Sequence, residues 1–225
     1  MTSQLEDLEN QGLIWRGAST SRPLQPRASG WQELDRLLGG GWPGNGVVSV
    51  KTDLGIGELR LLWPAMQRDQ GLIVFIAPPH ELNAEGLAGA GLDLSRVLLL
   101  HPAKGKEALW AAEQCLQSGC CQWVCLWQKT LISGLARRLQ LAARKGHSTL
   151  FLFLTANQKA LPVDLNLELS AQAQGLRLAV PRRRQGSSLA PFSLFMAERW
   201  PELTLPLRPD NLLVLSRWRS DAETG

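Results

Sequence analysis

Short, wholly apolar runs alternate with amphipathic stretches along most of this chain. Val47–Val50, Leu72–Ala77, Val97–Leu100, Gln122–Trp127 and Thr149–Leu154 are each apolar along nearly their whole length. Such runs predict strands buried on both faces. The stretches between them space their apolar residues by three or four, which predicts helices. Glu58–Gln67 carries Leu59, Leu62 and Met66; Leu82–Ala90 follows; Lys106–Gln117 carries Leu109, Ala112, Cys115 and Leu116; Leu131–Arg144 carries Leu131, Leu135, Leu139 and Ala142. Ser29 and Gln32 have the spacing of a capping box for a helix over Gly30–Leu38, which Gly39-Gly40-Gly41 ends. After about residue 160 the pattern changes. Leu165–Ser170 and Leu176–Val180 alternate apolar and polar positions, the mark of strands with one covered face. The prediction is an α/β fold: a mostly parallel sheet flanked by helices, with antiparallel strands added at the C-terminal edge.

Three segments follow from this pattern. Residues 1–29 read as an N-terminal arm, polar at first and then broken by Pro23 and Pro26. Residues 30–210 hold the domain, and residues 211–225 form a C-terminal tail. A chain of 225 residues is long enough for one substantial core. Its formal net charge of +4 permits an acidic partner without requiring one. The first residues include Glu6, Asp7 and Glu9, unlike the basic start and apolar run of a secretory leader. No apolar run is long enough to cross a bilayer, so a cytoplasmic protein without membrane contact is expected.

Little of the usual site chemistry is present. Cys115, Cys120, Cys121 and Cys125 lack the paired spacing of a zinc site and are expected as buried apolar filler. His80, His101 and His147 lie on separate loops, with no nucleophile–base arrangement among them. No cofactor or metal is expected. Of the nine tryptophans, Trp63, Trp110, Trp123 and Trp127 fall on predicted core elements. Trp31, Trp42, Trp200 and Trp218 lie nearer ends and loops, where a ring can stack on a base.

The order of pieces resembles the RecA family. Leu34-Asp35-Arg36-Leu37-Leu38-Gly39-Gly40-Gly41 is similar to the segment before the phosphate loop in RecA and RadA proteins. Gly91-Leu92-Asp93-Leu94, the strand Val97–Leu100, His101-Pro102 and the stretch Gly105–Gly119 follow in the same order, and the resemblance covers roughly residues 30–155. It implies a RecA-like core, and three positions that would carry ATP hydrolysis then fail. A phosphate loop, GxxxxGK[ST], supplies backbone N–H groups to phosphate, a lysine to neutralise it and a hydroxyl to hold magnesium. The matching stretch here is Thr52–Leu59, with Gly55 and Gly57 retained, Glu58 at the lysine position and Leu59 at the hydroxyl position. Pro79 stands where the water-activating acid is expected, and Trp127 where the magnesium-binding Asp would close the fourth strand. The expectation is a degenerate, non-functional nucleotide site and no enzyme activity.

Two families share such a degenerate core. Ile76-Ala77-Pro78-Pro79-His80, Ala90-Gly91-Leu92-Asp93-Leu94, Ala108-Leu109-Trp110 and Cys115-Leu116-Gln117-Ser118-Gly119 are similar to both ImuA and SulA proteins. Gly40-Gly41-Trp42-Pro43, Gly55–Arg60 and the length after Leu161 favour ImuA. That resemblance implies a non-catalytic accessory factor of SOS-induced translesion DNA synthesis. Its implied partners are ImuB, an inactive Y-family polymerase relative, RecA, and, indirectly, an error-prone C-family polymerase. The alternative is a SulA-type division inhibitor that binds FtsZ. Three surfaces are candidates for binding. Arg182, Arg183 and Arg184 could meet phosphates of single-stranded DNA or an acidic partner. Leu213, Arg217, Trp218 and Arg219 suit a docking tail. Leu13, Ile14 and Trp15 suit an N-terminal anchor, either for a partner or for a homo-oligomer as in RecA.

Overall fold

A computed structural model describes residues 25–155, 157–184 and 187–200. Ten strands are present among these residues: β1 (Pro26–Arg27), β2 (Trp42–Pro43), β3 (Val47–Lys51), β4 (Leu72–Ile76), β5 (Val97–Leu100), β6 (Cys121–Trp127), β7 (Thr149–Leu154), β8 (Leu165–Gln172), β9 (Gly175–Arg183) and β10 (Leu189–Phe195). The helices are α1 (Gln32–Leu38), α2 (Trp63–Arg68), α3 (Ala84–Gly89), α4 (Gly105–Gln117) and α5 (Ser133–Lys145), with a 3₁₀ turn at Leu94–Arg96. None of the helices is long and apolar enough to cross a membrane.

Eight strands form one sheet in the order β10-β9-β8-β3-β7-β6-β4-β5. Strands β8, β3, β7, β6, β4 and β5 run parallel, and β9 and β10 are antiparallel additions. The antiparallel edge therefore starts one strand later than the alternation of Leu165–Ser170 suggests, because β8 pairs in parallel with β3 (Val48↔Leu165, Val50↔Leu167). Alternation reports one-sided burial, not strand direction. In β8, Leu165, Leu167 and Leu169 are buried while Glu168 and Ser170 are exposed. β10 was not anticipated. Pro26–Arg27, at the end of the predicted arm, pairs with β2.

Each parallel strand sends successive side chains to opposite faces, giving two cores. Val48, Val50, Ile73, Phe75, Trp123, Phe151 and Phe153 meet Leu34 of α1, Leu62, Ala65 and Met66 around α2, and Leu87 of α3. On the other face Val47, Val74, Ile76, Val124, Leu126, Leu150 and Leu152 meet Ala108, Ala112 and Leu116 of α4 and Ala136, Leu139 and Ala143 of α5. Fully burying each of the larger apolar side chains contributes about 1.5–3 kcal/mol.

Several local expectations are corrected. The helix expected over Glu58–Gln67 is confined to Trp63–Arg68; residues 54–62 are turns and bends. Pro64 has no N–H to donate, so it suits a first helical turn and not an interior. The capping box does not form. Trp31 is the N-cap of α1 without a side-chain bond; Ser29 Oγ instead accepts from the Trp31 N–H (3.1 Å), and Asp35 Oδ1 accepts from the Ser29 N–H (2.7 Å). Trp31 and Trp42, placed near loops, are buried, while Trp110, placed in the core, is 62 % exposed. On α4 the buried stripe is Ala108, Ala112 and Leu116. Trp110 follows Ala108 by two residues, about 200° around the helix, and faces outward.

The cysteines also differ from uniform filler. Cys121 and Cys125 are buried, Cys115 is half-buried and Cys120 is exposed. The hydrogen bond with Cys115, and then burial, pushes the Cys121 thiol up; burial alone raises Cys125; and the Cys121 hydrogen bond lowers Cys115. The thiolate is the nucleophile, so maleimide should label Cys120 and Cys115 first and reach Cys125 only on unfolding. Peptide mass spectrometry over a labelling time course checks this order. Equal rates at Cys120 and Cys125 would contradict the burial pattern.

Candidate functional site

β3, β4 and β6 are parallel strands of one sheet, so their C-terminal ends lie along one sheet edge. Ligands bind at this edge in open α/β sheets. The topology therefore gathers the three positions singled out by sequence: the loop after β3, the turn after β4 and the end of β6.

The loop after β3 is folded tightly. Gly55 and Gly57 have φ of 78° and 98°, in the left-handed region that residues with a Cβ rarely adopt. That conformation turns their N–H groups inward, and Glu58 fills the space. The Gly55 N–H donates to Glu58 Oε1 (3.3 Å) and the Gly57 N–H donates to Oε2 (3.1 Å). Glu58 is buried, 7 % exposed. Amides that converge in such a loop form an anion nest. In this protein the anion is the chain's own carboxylate, which both takes up the donors and repels phosphate. Leu59 is half-buried against the first core and offers no hydroxyl.

The other two positions carry no ligating oxygen. Trp127 is buried and stacks on Phe153, with centroids 4.7 Å apart and planes at 12°; Phe75 lies 6.2 Å away. Its ring packs as core. Pro79 is exposed, two residues beyond Ala77, which has φ of 52°. A non-glycine residue there costs roughly 1–3 kcal/mol and marks a bend held by its surroundings. The Ala77 N–H donates to the Leu100 carbonyl (2.9 Å), which ties the bend to β5. Lys51 is half-buried and pairs with Glu168 (Nζ–Oε1, 2.9 Å), and the Thr52 hydroxyl donates to the Asp53 carbonyl (2.7 Å). Among the described residues no group of three or more His, Cys, Asp or Glu side chains could hold a metal ion.

The arginine run divides. Arg183 donates from Nη1 to the Leu37 carbonyl (3.0 Å) at the end of α1, and from Nε to the Ser187 carbonyl (2.7 Å). Arg184 pairs with Asp164 (3.5 Å). Arg182 is exposed. Two of the three guanidiniums thus hold the fold together. Trp200 is half-buried, tilted against Trp31 with centroids 5.7 Å apart, and Arg199 lies over the Trp31 ring at 5.0 Å. Leu13, Ile14, Trp15, Leu213, Arg217, Trp218 and Arg219 lie outside the described residues.

Sequence reading missed two features. One is the hub at Asp164, buried before β8. It accepts from the Val47 N–H (3.0 Å) and the Gln140 amide (3.0 Å), and pairs with Arg144 (3.1 Å) and Arg184 (3.5 Å). Nothing in the local sequence signals it, since its partners lie up to 117 residues away. The other is the exposed face of α4 and α5 around Trp110, which the helical period of α4 would have revealed.

No protein-family model matches the chain. It is 29 % identical to protein RecA of Nostoc punctiforme over 120 residues, covering 52 % of this chain and 33 % of that protein. Against protein RecA of Corynebacterium jeikeium it is 30 % identical over 122 residues, covering 52 % and 32 %. The chain thus spans about a third of the length of these relatives. Among solved structures, SulA from Pseudomonas aeruginosa aligns with a TM-score of 0.42 at 28 % identity, covering 48 % of this chain and 98 % of that one. The mostly parallel sheet flanked by helices and the sequence similarity to RecA over about half of this chain together give the protein a RecA-like α/β fold.

Proposed function

We propose that this protein is a non-catalytic accessory factor of SOS-induced translesion DNA synthesis, acting by binding partners. The observation that carries the non-catalytic part is Glu58, whose carboxylate takes the loop amides that a nucleotide phosphate needs. Pro79 and Trp127 put no carboxylate at the two positions where the RecA resemblance expects the water-activating acid and the magnesium ligand. A RecA-like scaffold without phosphate chemistry suits a RecA mimic: it offers a similar surface but does not cycle with ATP. Gly40-Gly41-Trp42-Pro43 and Gly55–Arg60, which favour the ImuA resemblance over SulA, support this pathway. They point to RecA and an inactive Y-family polymerase of the ImuB type as direct partners, with the error-prone C-family polymerase reached through them. Arg182, together with the N- and C-terminal segments, remains a candidate for contact with single-stranded DNA or these partners.

Two kinds of measurement test the reading, one of nucleotide handling and one of partners. Millimolar ATP with magnesium should leave the melting temperature unchanged, because only a ligand that binds the native state raises it. The variant Glu58→Lys with Leu59→Thr should also show no hydrolysis, since Pro79 and Trp127 remain. ATP turnover by the unmodified chain would end the non-catalytic reading. The second is a tagged pull-down after DNA damage, in which RecA and an inactive Y-family polymerase should be recovered together. Recovery of FtsZ without them would replace this function with division inhibition.

A further inference from the structure

α4 and α5 lie side by side over the second core, and their outer faces enclose a groove. Its first part is lined by Lys106, Leu109, Trp110, Leu135, Arg138 and Leu139. The groove continues past Glu113 along α5, where Arg137, Leu141, Ala142 and Lys145 line it. Trp110 is 62 % exposed and Leu141 is 66 % exposed. Large apolar side chains so exposed beside a preformed depression mark an interaction site, and tryptophan and arginine are the residues that most often anchor one.

The groove also carries a charge. Lys106, Arg137, Arg138 and Lys145 face it, against the single carboxylate of Glu113. That carboxylate is already held by Arg138, whose Nε donates to Oε1 (2.7 Å) while Nη2 meets Oε2. The pair bridges the two helices and raises the Arg138 pKa, first through the hydrogen bond and then through the charge. Lys106, Arg137 and Lys145 have no acidic partner among the described residues. A second copy of this face would bring the same cations together, and like charges at an interface disfavour that pairing.

We infer that the α4–α5 groove docks an acidic amphipathic helix of a partner protein. The shape selects a helix. Each wall is a helix of 13 residues, about 20 Å long. The apolar spot beside Trp110 and the one at Leu141–Ala142 lie about two turns, or roughly 10 Å, apart along α5. A partner helix reaches both with apolar residues at i and i+7, and carboxylates on its flanks meet Arg137, Lys145 and Lys106. The inference rests on this face alone and does not depend on the mutagenesis reading.

The test uses the full chain and a fluorescein-labelled, 18-residue helical peptide with leucines on one face and glutamates on the flanks, followed by fluorescence anisotropy. The peptide should bind, and a copy with lysine for each glutamate should not. Trp110→Ala should weaken binding at least tenfold, as should Arg137→Glu with Lys145→Glu. These side chains are on the surface, so the variants should keep the parent melting temperature. Affinity unchanged in both variants would overturn the proposal. Two further outcomes would also overturn it. A tenfold gain on deleting residues 1–24 would make the chain's own acidic start the occupant. A dimer that Trp110→Ala dissolves would make it a second copy.

Discussion

Replacing Asp164 with alanine should destabilise the fold by about 3 kcal/mol, because it breaks a buried charge cluster and strands its partners. The Asp164 side chain is 1 % exposed, whereas Arg144 and Arg184 are 34 % and 38 % exposed. The two arginines can therefore turn toward water when the carboxylate is gone, which removes much of the charge penalty. The Val47 N–H cannot turn away, since it belongs to β3 at the centre of the sheet, and the Gln140 amide is buried beside it. An unpaired buried donor costs about 1–3 kcal/mol, and that component dominates the loss. In a chain of this size the melting temperature should fall by roughly 6–12 °C. Asp164→Asn keeps the shape and one acceptor oxygen, so it should lose less. Equal melting temperatures for the parent and Asp164→Ala would mean that the hub adds nothing to stability.

Trp123→Ala should cost about 3–5 kcal/mol, the usual range for removing a buried aromatic side chain. Trp123 is fully buried, stacks on Phe151 with centroids 5.8 Å apart and planes at 20°, and has the Arg27 guanidinium 5.8 Å from its ring. Its indole N–H finds no hydrogen-bond partner among the described residues. That unpaired donor offsets part of what the ring contributes. Trp123→Phe should therefore be mild, at about 1 kcal/mol or less, because it removes the unpaired N–H along with some volume. Chemical denaturation of both variants separates the two effects. A phenylalanine variant as unstable as the alanine one would show that the ring's shape, and not its apolar area, holds this part of the core.

The strands of the parallel sheet were legible because burial on both faces demands uninterrupted apolar residues, as in Thr149–Leu154. The helices were legible where length allowed full periods, as in α4 and α5. Legibility failed where local pattern and tertiary demand diverge. Leu59, Leu62 and Met66 carry a helical spacing, yet the turns at Gly55 and Gly57, and Pro64, which suits only a first helical turn, keep most of that stretch out of helix. Trp31 and Trp42 sit in loop-like sequence, but the loops fold inward onto Leu61 and Phe151, and the rings fill the first core. Of the candidate site, the identities at Gly55, Gly57, Glu58, Leu59, Pro79 and Trp127 were readable. That the Glu58 carboxylate occupies the loop's own amides was not, since the contact depends on backbone angles that composition does not encode.

By itself the amino-acid sequence determined the alternation of strands and helices, the one-sided strands at the C-terminal edge and the missing lysine, hydroxyl and acids of a phosphate site. Each of these is a property of residue type and short spacing. Only the tertiary structure decided which side chains share a space. It placed Asp164 against Val47, Gln140, Arg144 and Arg184, tied Arg183 and Arg184 into the fold while leaving Arg182 exposed, and set Trp110 beside Leu139 on an open groove. These contacts join positions far apart in the chain, and strand order and helix packing, not local preference, bring them together.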